Sequence, residues 1–287
     1  MGLTTTCALL LTRVANELED TETVVCLGNP HTLVTYEDYT RKAAALDIEV
    51  PDTIRNHPDG ELEVRAFFEA IGFPDFRVLD IDDYQGAGIV QNLSEDSLDD
   101  EHCGVADLVY DTGTLEHVYN LDSALKNIHR LLSDGGIAYH VNPTNGMLDH
   151  GFYQISPTFY HDYYRASGYN VIGAGIADTN PRSRYNVRVR DYDHDIYRTD
   201  GIEHVLTEHP RANIHYCAQK CPDSQHARAP VQSYWRSRHD DDDIEYSAEL
   251  SFDIQVKKDQ IEYYGGLVAR RLGVLDTARR LHSMTSR

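Results

Sequence analysis

Apolar residues recur along this chain in two rhythms. Short runs at 23–27, 76–83, 89–93, 105–110, 137–141 and 169–175 are bounded by Gly, Pro, Asn or Asp, and read as strands. Between them the spacing changes to three and four. Leu3, Cys7, Leu10, Leu11, Val14 and Leu18 form one such set, and Leu62, Val64, Ala66, Phe67, Ala70 and Ile71 a second. Leu121, Ala124, Leu125, Ile128, Leu131 and Leu132 form a third, stopped by Gly135-Gly136. Residues 156–167 add a helix with Pro157 in its first turn and Gly168 at its end. Residues 213–219 alternate like a half-buried edge strand that returns antiparallel to the sixth. Strands that alternate with helices pair through right-handed crossovers into a parallel sheet. The predicted fold class is therefore α/β, a doubly wound Rossmann-like sheet of about seven strands. The last strand is antiparallel, and helices cover both faces.

On this reading residues 1–221 form the sheet domain, with loop-rich insertions at about 31–60 and 177–210. Residues 222–250 read as an acidic linker and 251–287 as a helical tail. In the second insertion Arg182, Arg184, Arg188 and Arg190 keep a period of two, which suggests a strand with one arginine face. Such a face either receives an acidic substrate or pairs with the local Asp residues.

The 47 acidic residues outnumber 26 basic ones, of which only five are Lys, for a net charge of −21. That excess of solvated carboxylate keeps a protein hydrated in concentrated salt, and it reads as a halophilic signature. It also argues against a nucleic-acid partner, because phosphate neutralisation needs a basic face. The five cysteines are odd in number, and Cys217 and Cys221 lack a second pair or a His cluster that would complete a zinc site. No metal site is expected from these spacings. Reduced thiols, and no apolar stretch long enough for a leader or a membrane span, point to a cytoplasmic protein.

In a doubly wound sheet, ligands bind beyond the carboxyl ends of the strands. That rim carries Gly28-Asn29-Pro30, Asp80, Gln91-Asn92, the loop from Asp111 to His117, and residues 140–145. His117, His140 and His150 are its near-neutral bases. His140 reads equally as a satisfied, half-buried histidine. His150 and Tyr153 read equally as packing for their own loop, and Glu116 as a loop carboxylate. Gly86-Ala-Gly88 and Gly173-Ala-Gly175 echo a dinucleotide fingerprint, but neither opens a helix, which leaves an NAD enzyme improbable.

The string Asp107-Leu-Val-Tyr, Leu115-Glu-His-Val118, Leu131-Leu-Ser-Asp-Gly-Gly136, Pro143 and Gly151-Phe-Tyr-Gln-Ile-Ser-Pro157 resembles the class I S-adenosylmethionine-dependent methyltransferases of small-molecule type. The resemblance covers about residues 24–220. It implies S-adenosyl-L-methionine as cofactor, with Gly28 and Asn29 at its methionine end and Asp80 on the ribose hydroxyls. It implies Asn92 (or Gln91) at the adenine, and Asp111 and Gly113 under the sulfonium. His117, His140 and His150 fall on the acceptor side. The implied acceptor is a small polar molecule, best a sugar or uronic acid of a glycan, methylated on oxygen or as a carboxyl ester. The first loop departs from the family pattern, since Pro30 removes a backbone donor where Gly-x-Gly-x-Gly is usual. That departure is what a non-catalytic binding relative with a degenerate cofactor loop would show.

Overall fold

A computed structural model describes residues 2–18, 20–57, 60–179, 187–194, 211–226, 230–233 and 248–256. In chain order the strands and helices are β1 (Gly2–Leu3), α1 (Thr5–Ala15), β2 (Thr23–Leu27), β3 (His31–Thr32), α2 (Tyr36–Ala45), α3 (Asp52–Arg55) and α4 (Val64–Ala70). Then come β4 (Asp75–Asp80), β5 (Ile89–Val90), β6 (Ala106–Thr112), α5 (Leu121–Leu131), β7 (Leu132–Asn145) and α6 (Pro157–Ala166). β8 (Asn170–Asp178), β9 (Val187–Asp191), β10 (Ala212–Gln219) and β11 (Ile254–Val256) complete the described elements. Nine of the strands make one sheet in the order β11-β9-β8-β10-β7-β6-β2-β4-β5.

The sheet is parallel from β5 through β7, and β10 inserts antiparallel between β7 and β8. Alternation along β2 shows how each face is filled. Val24 and Cys26 join a core with α1, α2 and α4, whereas Val25 and Leu27 join one with α5 and α6. The amphipathic stripe of α5 is buried as its spacing predicts, through Ala124, Leu125, Ile128 and Leu131.

Three differences from the sequence reading, and one agreement, have physical causes. Residues 31–60 are not all loop: Thr35 caps α2 by accepting the Asp38 N–H, and Tyr36, Tyr39, Lys42 and Ala43 turn inward. β10 is an interior strand, with residues 212–218 buried, because it lies between two partners. The arginine strand is real where described, as β9 buries Val187 and Val189 and turns Arg188 and Arg190 outward; Arg182 and Arg184 lie outside the described residues. In place of a helix beginning near Ser251, residues 254–256 pair antiparallel with β9. The rest of the expected tail, 257–287, and most of the acidic linker also lie outside the described residues. No helix among the described residues is long and apolar enough to cross a membrane.

Candidate active site

The tips of β2, β4 and β6 meet at the carboxyl edge of the sheet. Leu27 pairs with Leu79 on one side and Asp111 on the other, so Gly28 emerges between the two neighbouring strands. Gly28 holds φ +74°, and a Cβ there would lie 3.3 Å from Thr114 Oγ1 and 4.0 Å from Asp80 Oδ2. A side chain at this position would enter the space between those two groups, so glycine keeps that space open. Thr114 is held in place by donating its hydroxyl to the Leu27 carbonyl at 2.5 Å. Asp80 accepts the Ile81 N–H through Oδ1 at 2.7 Å, which aims the carboxylate. Just beyond it in the chain, Ile81 and Tyr84 stand exposed. Asn29 is exposed on the same rim and donates to the Gln85 carbonyl.

Asn92 sits past the end of β5 with both ends of its amide engaged, Oδ1 accepting Ser94 N–H and Nδ2 donating to Glu95. It forms a local turn, so the side chain expected at the adenine is turned onto its own loop. Gln91 is likewise bonded to the Asn92 carbonyl and the Ser97 hydroxyl.

Behind the rim lies a buried polar network. The parallel register sets Asp111 of β6 beside His140 of β7. Asn142, two residues on, shares that face. Asp111 Oδ1 accepts the Thr114 and Leu115 N–H groups at 3.0 and 3.3 Å, which shapes the turn that Gly113 allows at φ +89°. Asp111 Oδ2 lies 3.0 Å from His140 Nδ1, and His140 Nε2 lies 2.6 Å from the Tyr164 hydroxyl. A carboxylate at Nδ1 puts the ring hydrogen there and leaves Nε2 to accept from Tyr164. Asn142 Nδ2 donates to both Asp111 and Glu116, each at 2.9 Å, and Asn142 Oδ1 accepts the Tyr160 hydroxyl. Tyr160 and Tyr164, four apart on α6, stand on one face of that helix, and Tyr160 stacks on His140 with centroids 4.5 Å apart.

Two residues expected beside the ligand lie deeper than the rim. His140 and Asp111 have no exposed surface, and both ring nitrogens of His140 are engaged. Neither side chain is open to the rim. Asp111 holds the Thr114–His117 turn, and His140 braces Asp111. Gly113 is also buried and serves the turn.

His117 and His150 form the exposed edge of the network, over the enclosed Glu116. The Glu116 carboxylate has no exposed surface; Oε2 is held by Asn142, while Oε1 makes no hydrogen bond. Oε1 lies 3.6 Å from His150 Nε2 and 3.9 Å from His117 Nε2, and the His150 and His117 side chains are 39% and 48% exposed. Burial, with the Asp111 charge added, pushes the Glu116 carboxyl up to about 7. His117 is held below the ordinary imidazole value by burial and then by the neighbouring His150.

Residues 151–153 clamp this edge from outside. A Cβ on Gly151 would lie 2.6 Å from the Glu116 carbonyl oxygen, and that oxygen accepts the Phe152 and Tyr153 N–H groups. Tyr119 and Phe152 pack edge to face at 5.8 Å and stay exposed. The sequence motif contained Glu116 and Gly151, but only the fold shows that they touch. Thr114, Asn142, Tyr160 and Tyr164 carried no signal beyond residue type.

No family model matches the chain, and no curated protein does. Among solved structures it is similar to a proposed methyltransferase of Bacillus halodurans, at 10% identity over 75% of this chain and 98% of that one, with a TM-score of 0.42. It is also similar to the 1,6-didemethyltoxoflavin-N1-methyltransferase of Burkholderia thailandensis, solved with S-adenosylhomocysteine, at 13% identity over 75% and 76%, with a TM-score of 0.39. A third likeness is to the 4+2-cyclase SpnF, at 14% identity over 75% and 81%, with a TM-score of 0.37. From β5 to β8 the sheet runs β5-β4-β2-β6-β7-β10-β8 with β10 alone reversed within that run, and in this arrangement the chain has the class I methyltransferase fold.

Proposed function

We propose that the protein is an S-adenosylmethionine-dependent methyltransferase acting on a small polar acceptor. A sugar or uronic acid of a glycan is the acceptor class we favour. The observation that carries this reading is the convergence of Gly28, Asp80 and Thr114 at three adjacent strand tips. A carboxylate at Asp80 suits two vicinal ribose hydroxyls, since each bond is charge-assisted. Gly28 lets the methionine end approach the backbone, and Ile81 with Tyr84 offers a cover for adenine. The cofactor supplies an electrophilic methyl on a sulfonium.

Thr114 touches the cofactor side, and the turn it begins ends at Glu116 and His117, so donor and acceptor sites share one short segment. The acceptor would enter between His117 and His150 with a ring face against Tyr119 and Phe152. In-line transfer then depends on alignment, which a rigid network below the turn provides. A hydroxyl acceptor gives its proton to one of the two imidazoles. A carboxylate acceptor needs no base, but it must approach a site backed by Asp111 and Glu116.

Calorimetric titration with S-adenosylmethionine and with NAD, separately and in molar salt, tests the reading. We expect saturable binding of S-adenosylmethionine alone, weakened about 10-fold or more by Asp80→Ala. Binding of neither ligand would favour the second reading, a non-catalytic relative, to which Pro30 in the first loop gives its support. An undiminished affinity in Asp80→Ala would remove the proposed cofactor site.

A further inference from the structure

We infer that Glu116, His117 and His150 form a binding site for one divalent transition-metal ion. One ligand atom from each residue lies within 4.8 Å of the others, and two of the separations are 3.6 and 3.9 Å. Ligands around a single ion with bonds of about 2.0–2.2 Å stand roughly 3–3.5 Å apart, so small rotations of the two exposed imidazoles close the set. The independent observation is Glu116 Oε1, fully enclosed, bonded to nothing and aimed at both rings. A buried carboxylate oxygen left without a partner is costly, and a cation between it and the imidazoles removes that cost.

The surroundings are those of a metal site. Asn142 Nδ2 holds the other Glu116 oxygen at 2.9 Å, and Asn142 is itself fixed by Asp111 and Tyr160. Such outer partners orient ligating carboxylates and tune affinity. Gly151 pins the Glu116 backbone from the opposite side. Two imidazoles and one carboxylate suit Zn²⁺, Mn²⁺, Co²⁺ or Fe²⁺ better than Mg²⁺ or Ca²⁺, which take oxygen ligands. Three protein ligands on the exposed edge leave coordination positions open towards solvent. If the methyl-transfer reading holds, those positions face the acceptor; with both imidazoles then ligands and not bases, the ion would hold an acceptor oxygen, lower the pKa of an acceptor hydroxyl so that its proton leaves to solvent, and offset the charge of Asp111 and Glu116 towards a uronate.

The test uses the full chain stripped with chelator, without cofactor or acceptor, titrated with MnCl₂ and ZnCl₂ by calorimetry and with CoCl₂ by visible absorption. We expect one ion per chain and cobalt bands of an imidazole–carboxylate site. His117→Ala, His150→Ala and Glu116→Gln should each weaken binding by about 100-fold or more, since outer-shell losses alone reach 10–100-fold. The two His variants alter exposed side chains, and circular dichroism checks that they fold. No binding would overturn the inference. So would affinity unchanged in His117→Ala and His150→Ala, which would place the ion elsewhere, for example at His161, Asp162 and His194, the other described His–carboxylate cluster. Because the metal alone is the probe, this outcome is independent of whether the protein binds S-adenosylmethionine.

Discussion

Gly151 lies so close to Glu116 that the hydrogen on its α-carbon is all the space permits, with the Glu116 carbonyl oxygen 2.6 Å from where a Cβ would stand. Two N–H groups just after Gly151 converge on that same oxygen. Gly151→Ala must therefore push the 146–155 loop off the turn, or push Glu116 out of the network. A displacement of about 1 Å at a reacting centre costs on the order of 100-fold in rate. We expect Gly151→Ala to lower kcat/KM by about that factor while the thermal midpoint moves little, because the loop is exposed. A loss of activity matched by global unfolding in circular dichroism would contradict this.

Asn142 is the one neutral group between two buried carboxylates, and its amide orientation follows from the donors around it. The NH₂ faces Asp111 and Glu116, and the oxygen faces the Tyr160 hydroxyl. Asn142→Asp would keep the shape and replace the shared donor with a third acceptor. We expect a loss of about 3 kcal/mol or more in urea denaturation at pH 8, as for breaking a buried charged network. Asn142→Ala should cost less, because it removes a partner without adding a charge. Equal stability of wild type and Asn142→Asp at pH 8 would show that the amide does not bridge the two acids.

Much of the sheet could be read directly. The segment 23–27 is a continuous apolar run ending at Gly28, and 121–131 spaces its apolar residues by three and four after Asn120; both match the structure. The helix α2 escaped because its buried face is Tyr36, Tyr39, Lys42 and Ala43, with the Lys42 amine paired to Asp38 at 2.7 Å; its apolar character lies in rings and a lysine stem. For the candidate site, residue type pointed to one edge of the sheet but not to depth. His117 and His140 look alike in sequence, yet one is half exposed and the other enclosed, because strand register puts His140 beside Asp111 under α6. His150 is remote from Glu116 in sequence and reaches it only through the loop that Gly151 anchors.

The pair Tyr119 and Phe152 offers a test of acceptor binding separate from chemistry. Both rings are exposed and packed edge to face, and Tyr119 is steadied by its carbonyl accepting the Tyr153 hydroxyl at 2.7 Å. An aromatic contact contributes about 0.5–1.5 kcal/mol beyond its area. We expect Tyr119→Ala and Phe152→Ala each to raise the acceptor KM by about 10-fold with kcat within roughly 2-fold, the pattern of lost ground-state binding. Cofactor affinity should stay unchanged, since Asp80 and Gly28 lie on the other side of Thr114. A fall in kcat with KM unmoved would place the acceptor elsewhere.

His215 governs a pH dependence that belongs to the fold and not to the site. It lies on β10, enclosed, with Nδ1 2.9 Å from the Tyr139 hydroxyl. Burial pulls its pKa from the ordinary 6.5 down to about 3. The folded protein therefore keeps this ring neutral while the unfolded chain takes up a proton below pH 6.5. Stability is fully present above that pH and declines as pH falls towards 3, since the unfolded state binds more protons. Between pH 8 and pH 5 the loss from this one group is about 2 kcal/mol, from roughly 1.4 kcal/mol per pH unit below 6.5. His215→Gln removes the titration while leaving an amide to meet Tyr139. It should start less stable at pH 8 and lose about 2 kcal/mol less than wild type on going to pH 5, read from urea midpoints in the same salt. Parallel losses in the two proteins would mean that the ring is already solvated and titrates normally in the native state.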